Sequence, residues 1–143
     1  MAKFVFSAFA DEIDADFDKQ IEGLKALGIG LIELRGVDGK SFVALTDEEV
    51  YTVKEKLDKN NIGISALGTP IGKINVDGDF EAHKKLLSRI MDIGDILGCK
   101  VLRMFSFYPA EGMSDEEFAK RAYSWRGRSV LLRNLKLLES SDK

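Results

Sequence analysis

Two charges, Glu33 and Arg35, stand two residues apart in the apolar run LIELRG. A strand alternates its faces with a period of two, so both would project to one side with Leu31, while Ile32 and Leu34 project to the other. Three more apolar runs finish on polar groups. KFVFSAFADE runs into Ser7, Asp11 and Glu12; IGISALGTP carries Ser65 and Thr69; KVLRMFSFY carries Arg103, Ser106 and Tyr108. Arginines so placed can grip phosphate or carboxylate with two parallel N–H bonds, and a neighbouring carboxylate can orient the hydroxyls of a polyol. The structural alternative is an ion pair between Glu33 and Arg35 or Arg103, because such pairs also occur without function.

The elements that would position these groups alternate strand and helix. The first strand is expected over 3–10, followed by a helix in DADFDKQIEGLKALG, where Phe17, Ile21, Leu24 and Leu27 recur at helical spacing. Asp14 or Asp16 can cap its start and Gly28 its end. A second strand follows over 29–35, then a loop with Gly36 and Gly39. In TDEEVYTVKEKLDKNN, Thr46 and Glu49 have the spacing of a capping box, and Val50, Val53 and Leu57 form the apolar stripe. IGISALGTP is the third strand. A helix over 80–97 carries Leu86, Leu87, Ile90, Ile93 and Leu97 and stops at Gly98. The fourth strand is expected over 100–108, and Ser114 caps a fourth helix that continues through SVLLRNLKLLESS, with a break near Gly127.

No hairpin is expected between these strands, so they should form a parallel sheet covered by helices. In such folds the carboxyl ends of the strands make the ligand face. An open sheet with helices on both faces would set Glu33 and Arg35 against apolar side chains at high cost. A barrel would give them its lumen. The expected fold class is therefore α/β, a parallel (β/α)4 half of a TIM (β/α)8 barrel, in one domain over 1–143 with a divergent helical tail at 121–143.

Composition excludes several classes of function. The 143 residues carry 21 Lys and Arg against 24 Asp and Glu, a net charge of −3, which argues against nucleic acid or an anionic membrane as the partner. Residues 121–143 alone are basic, with six Lys and Arg against Glu139 and Asp142. The sole cysteine, Cys99, cannot form an internal disulfide and reads as a small buried filler, which suits a cytoplasmic location. No signal peptide or membrane span is expected. His83, the one histidine, is expected to be a surface or capping residue, and cannot make a zinc site with one cysteine. The glycines of GLKALGIG and GTPIGK lack the spacing of phosphate-binding loops and read as caps and turns. Tyr123 and Trp125 read as packing groups.

The segments FSAFADEIDADFDKQIEGLKALGIGLIELRGVDGK and GISALGTPIGKINVDGDFEAHKKLLSRIMDIGDILGCKVLRMFSFY resemble the N-terminal half of sugar phosphate isomerase/epimerase proteins, of the xylose isomerase-like barrel superfamily. The likeness runs from about Phe4 to Phe118. It is carried by Asp11-Glu12, the Glu33/Arg35 strand, FEAHKKL and LRMFSFY. It implies a (β/α)8 barrel fold and proton transfer beside a sugar carbonyl. The family's divalent metal, such as Mn, Mg or Zn, is implied on strands five to eight. No catalytic or metal-binding residue is therefore carried over, and no cofactor is expected in this chain. Glu12, Glu33, Arg35 and Arg103 are the expected substrate-binding residues for a small sugar or sugar phosphate. A chain cut before the metal-bearing strands is expected to be inactive alone; the alternative is a non-catalytic half-barrel that binds or assembles. Either way, its first and fourth strands would be open edges, so a homodimer or higher homo-oligomer is expected.

Overall fold

The computed structural model describes residues 4–124. In chain order it contains β1 (Ser7–Ala8), a 3-10 turn (Ala10–Glu12), α1 (Phe17–Ala26), β2 (Leu31–Leu34), β3 (Gly36–Val37) and β4 (Lys40–Ser41). A second 3-10 turn (Phe42–Ala44), α2 (Asp47–Lys59), β5 (Gly63–Gly68), α3 (Phe80–Leu97) and β6 (Leu102–Arg103) follow. A further helix, α4, covers 115–124. The helix expected through SVLLRNLKLLESS, the break at Gly127 and the role of Trp125 fall outside the described residues.

The fold is mixed α/β, with a parallel four-stranded sheet in the order β1-β2-β5-β6. Two compact units make up the chain. The first holds residues up to Thr69 together with Asp92–Arg103, and so contains the whole sheet. The second holds Pro70–Met91 and the residues from Met104 onward.

In the first unit the alternation in β2 is as the sequence predicts. Ile32 and Leu34 are buried while Leu31, Glu33 and Arg35 are partly exposed. Register carries this two-faced pattern across the sheet. Leu34 pairs with Leu67, and Leu67 with Leu102, which builds the buried face. Helix α3 approaches that face closely at Gly94, where an added Cβ would lie 3.6 Å from Leu67 Cδ1 and 2.9 Å from the Cys99 carbonyl oxygen. Phe17, Ile21 and Leu24 of α1 and Val50, Val53 and Leu57 of α2 join the same buried set. Asp16 caps α1 by accepting the Asp18 and Lys19 N–H groups, and the Thr46–Glu49 capping box forms in full. Gln20 is buried as well, its Nε2 donating to the Asp14 and Ala15 carbonyls and so fixing the entry to α1.

The pairing of β2 with β5 contains a bulge. Ile32 pairs with Ile64 but Glu33 pairs with Ala66, which leaves Ser65 as an extra residue on β5. Its Oγ lies within hydrogen-bond distance of Ser7 Oγ (2.6 Å) and donates to the Ile32 carbonyl (3.1 Å).

Several expectations are corrected. Regular pairing in the first strand covers Ser7–Ala8, because the chain turns into the 3-10 segment at Ala10. Phe4, Val5 and Phe6 stay 83%, 71% and 73% exposed. The segment after β2 is no simple loop: β3 and β4 form an antiparallel hairpin whose Asp38 and Gly39 sit at φ +50° and +74°. Positive φ at both central residues is what a tight two-residue hairpin turn requires, and Asp-Gly is among its favoured pairs. Leu27 is 68% exposed, because α1 ends at Ala26 and Leu27 is its C-cap. The fourth strand pairs in the sheet over Leu102–Arg103 and not over 100–108.

In the second unit Val76, Phe107 and Ala122 form a small core with Ile74, Met113 and Phe118 packed on it. Ser114 caps α4, its Oγ accepting the Glu117 N–H at 3.3 Å. The stretches around 71–76 and 105–108 are stitched by backbone bonds: Phe105 N–H to Ile71, Phe107 to Gly72, Tyr108 to Ile74 and Val76 to Tyr108. His83 is not on the surface. It is 7% exposed, its Nε2 accepting the Gly72 N–H at 2.8 Å.

Candidate functional site

The polar face of the sheet collects the charged residues at the carboxyl ends of its strands, all within the first unit. Arg103 pairs in register with Gly68, and Glu33 with Ala66, so both side chains stand on the face that β2 leaves partly exposed. Arg103 Nε donates to Glu33 Oε1. Arg35 takes other partners. Its Nε–H lies between both Asp11 oxygens, at 3.1 and 2.9 Å, and Nη2 donates to Glu12 Oε1 at 3.0 Å.

Phe9 links the two pairs. The Arg35 guanidinium carbon lies 4.6 Å from its ring centroid and that of Arg103 lies 5.1 Å from it. Both cations are within reach of the ring's negative face, a contact that stabilises guanidinium groups and fixes their planes. Gly68 gives them room: an added Cβ would lie 3.0 Å from Arg103 Nη2, 3.1 Å from Glu33 Oε1 and 3.5 Å from Arg35 Cβ. Gly36 does the same for Asp11, whose Oδ2 would lie 3.1 Å from such a Cβ. Thr69 is buried and donates its hydroxyl to the Arg103 carbonyl at 2.8 Å, holding the backbone from which Arg103 projects.

The electrostatics follow from these bonds. The bond to Asp11 is the main cause that raises the Arg35 pKa above its ordinary value, with Glu12 adding to it and burial opposing it. Three carboxylates face two guanidiniums, a formal charge of −1. The cluster therefore offers oriented donors and acceptors together, without a surplus of positive charge. Among the described residues, no group of three or more His, Cys, Asp or Glu could hold a metal ion.

All four residues expected to bind substrate thus lie in this cluster. Glu12 and Arg35 form one pair and Glu33 and Arg103 another; Glu33 pairs with Arg103 and not with its strand neighbour Arg35. Two further residues belong to the cluster, Asp11 and Phe9. Asp11 was legible beside Glu12, but the geometry makes it the principal partner of Arg35. Phe9 was hidden, since an aromatic in an apolar run reads as core. Ser106 and Tyr108, the other polar groups of the fourth run, belong to the second unit.

A scan against protein-family models finds no match, and no curated protein matches the sequence. No helix among the described residues is long and apolar enough to cross a membrane.

Proposed function

We propose that this chain is a sugar phosphate isomerase/epimerase-like protein, a parallel (β/α)4 half of a TIM barrel, and that the cluster at its strand ends is the substrate-positioning wall. One observation carries the reading: two guanidiniums over a single phenylalanine, each held by carboxylates, at the carboxyl ends of parallel strands. Rigid side chains with alternating donors and acceptors suit the hydroxyls of a small sugar or polyol, because each hydroxyl both gives and accepts. The excess of one carboxylate favours hydroxyl contacts over a bare phosphate at this cluster. A phosphorylated sugar would direct its hydroxyls here.

The proposed role is binding, with Glu12, Glu33, Arg35 and Arg103 as contacts. Proton transfer and divalent metal belong, by the resemblance, to strands beyond these four. Isothermal titration against neutral polyols, pentoses, hexoses and their phosphates tests the reading. Saturable binding of one of them should weaken about 10- to 150-fold in Arg35→Ala, the equivalent of the roughly 1.5–3 kcal/mol of a charged hydrogen bond. Absence of binding across the panel, or unchanged affinity in a folded Arg35→Ala, would overturn it. Added Mn²⁺, Mg²⁺ or Zn²⁺ should give no turnover.

A second reading, an assembly module, has its own observation in Phe4, Val5 and Phe6, all exposed beside the edge strand β1. Unpaired edges with apolar neighbours invite another chain, and a homodimer joining β1 to β6 of a second copy would satisfy both edges. Light scattering at micromolar concentration would show a dimer; a monodisperse monomer would remove this reading. The lone, buried Cys99 suits the cytoplasm as the site of either role.

A further inference from the structure

We propose that His83 is an acid-sensitive latch in the second unit: neutral, it holds the loop at Gly72, and protonated, it lets that loop go. Gly72 presents a backbone N–H, which can only donate, so the Nε2 that receives it at 2.8 Å carries no proton. An imidazolium has N–H groups at both nitrogens and cannot accept this bond. Protonation would leave two donors facing each other inside a site where His83 is almost fully buried.

Gly72 is a position where losing one bond affects others. It sits at φ +84°, and an added Cβ would lie 2.1 Å from the Phe105 carbonyl oxygen, so the two stretches touch through bare backbone. The Gly72 carbonyl accepts Phe107 N–H at 2.9 Å, and Phe105 N–H donates to Ile71 at 2.7 Å. The Phe107 ring is tilted against the imidazole, with centroids 6.0 Å apart. One side chain from α3 thus closes the row of backbone bonds between 71–76 and 105–108.

Several charged groups lie on these segments. On the loop, Lys73 lies over the Phe105 ring and Asp77 is exposed. On α3, Glu81 pairs with Lys84, and Asp79, just before the helix, accepts the Ala82 N–H. Beyond the second stretch, Glu111 is exposed. Burial pushes the histidine's pKa below its ordinary value, in keeping with a neutral ring at neutral pH. The sign follows. A base with a lower pKa folded than unfolded binds its proton more readily unfolded, so its contribution is complete above about 6.5 and is lost as pH falls from there through the lowered folded value.

The test pairs imidazole NMR with amide hydrogen exchange on the whole chain. Long-range proton–nitrogen correlation should show Nε2 unprotonated at pH 7.5. Between pH 7.5 and 4.5, after correction for intrinsic exchange, protection at Gly72 and Phe107 should fall tenfold or more in step with the imidazole titration. His83→Gln, whose amide oxygen accepts without titrating, should abolish that dependence. A proton on Nε2 at pH 7.5, an imidazole that does not titrate before global unfolding, or titration without loss of protection would each overturn the latch. So would the same pH dependence in His83→Gln. Should that variant not fold, the NMR and exchange results on the parent chain decide alone.

Discussion

Glu33→Gln keeps the shape of the Glu33 side chain and removes the charge that holds Arg103. The Glu33 and Arg103 side chains are 19% and 32% exposed, so the pair lies between a surface contact and a buried one. A hydrogen bond to a charged group contributes roughly 1.5–3 kcal/mol, and stranding one member of a fully buried pair costs about 3–5 kcal/mol. Water at the exposed third of Arg103 lowers both figures towards the roughly 0.2–1 kcal/mol of an exposed pair. A coupling of about 1–2 kcal/mol is therefore expected from a double-mutant cycle of Glu33→Gln, Arg103→Met and the double variant, measured by urea unfolding. Raising the salt from 0.1 M to 1 M shortens the screening length from about 10 Å to about 3 Å, yet should remove less than half of it, because screening is weak for partly buried charges. A coupling below about 0.3 kcal/mol, or one abolished by salt, would refute the claim that this pair is set before any ligand arrives. Phe9→Leu makes a useful companion, since it takes away the shared ring and leaves both carboxylate bonds in place.

Asp38 holds the hairpin to α1, its Oδ1 accepting the Phe17 N–H at 2.9 Å from a residue at φ +50°. Asp38→Ala should cost about 2 kcal/mol in urea unfolding, roughly half for the lost cap and half for the left-handed backbone, whereas Asp38→Gly should cost less; the reverse order would refute the backbone share. Gly72→Ala should destabilise by about 3 kcal/mol or more, since its Cβ would meet a backbone carbonyl at positive φ, and a thermal melt like that of the parent would refute this. Thr46→Ala removes half of the α2 capping box and should cost about 1 kcal/mol by the same urea measurement.

The parts of this structure that depend on local chemistry were legible in the sequence. Thr46 and Glu49 carry their capping role in their spacing, and the charges of LIELRG lie on one face because strand pleating leaves no other choice. The hairpin after β2 was missed and read as a loop: Asp38-Gly39 is a turn signal, but its flanking strands are two residues each and show no alternation. Phe9 could not be assigned in advance, because its value lies in two arginines, one 26 residues away and the other 94. The position of His83 depends in the same way on a glycine N–H presented by a separate loop. The choice of Arg103 over Arg35 as the partner of Glu33 was left open by composition and spacing, and was decided when Asp11 and Glu12 claimed Arg35.

The extra residue at Ser65 makes β5 a strand with two phases. Before it, Gly63 stands opposite Leu31 on the polar face; after it, Ala66 and Gly68 occupy that face while Leu67 turns into the core. Were Ser65 paired regularly with Glu33 instead of bulged out, Leu67 would project among the guanidiniums and Gly68 would fall on the core side. Deleting Ser65 would therefore remove the bulge and leave Ala66, Leu67 and Gly68 on their present sides, whereas pulling Ser65 into regular pairing would exchange them. The bulge works as a phase shifter: by leaving Ser65 out of the pairing, it lets Leu67 serve a packed core while Gly68 beside it opens onto a charged mouth.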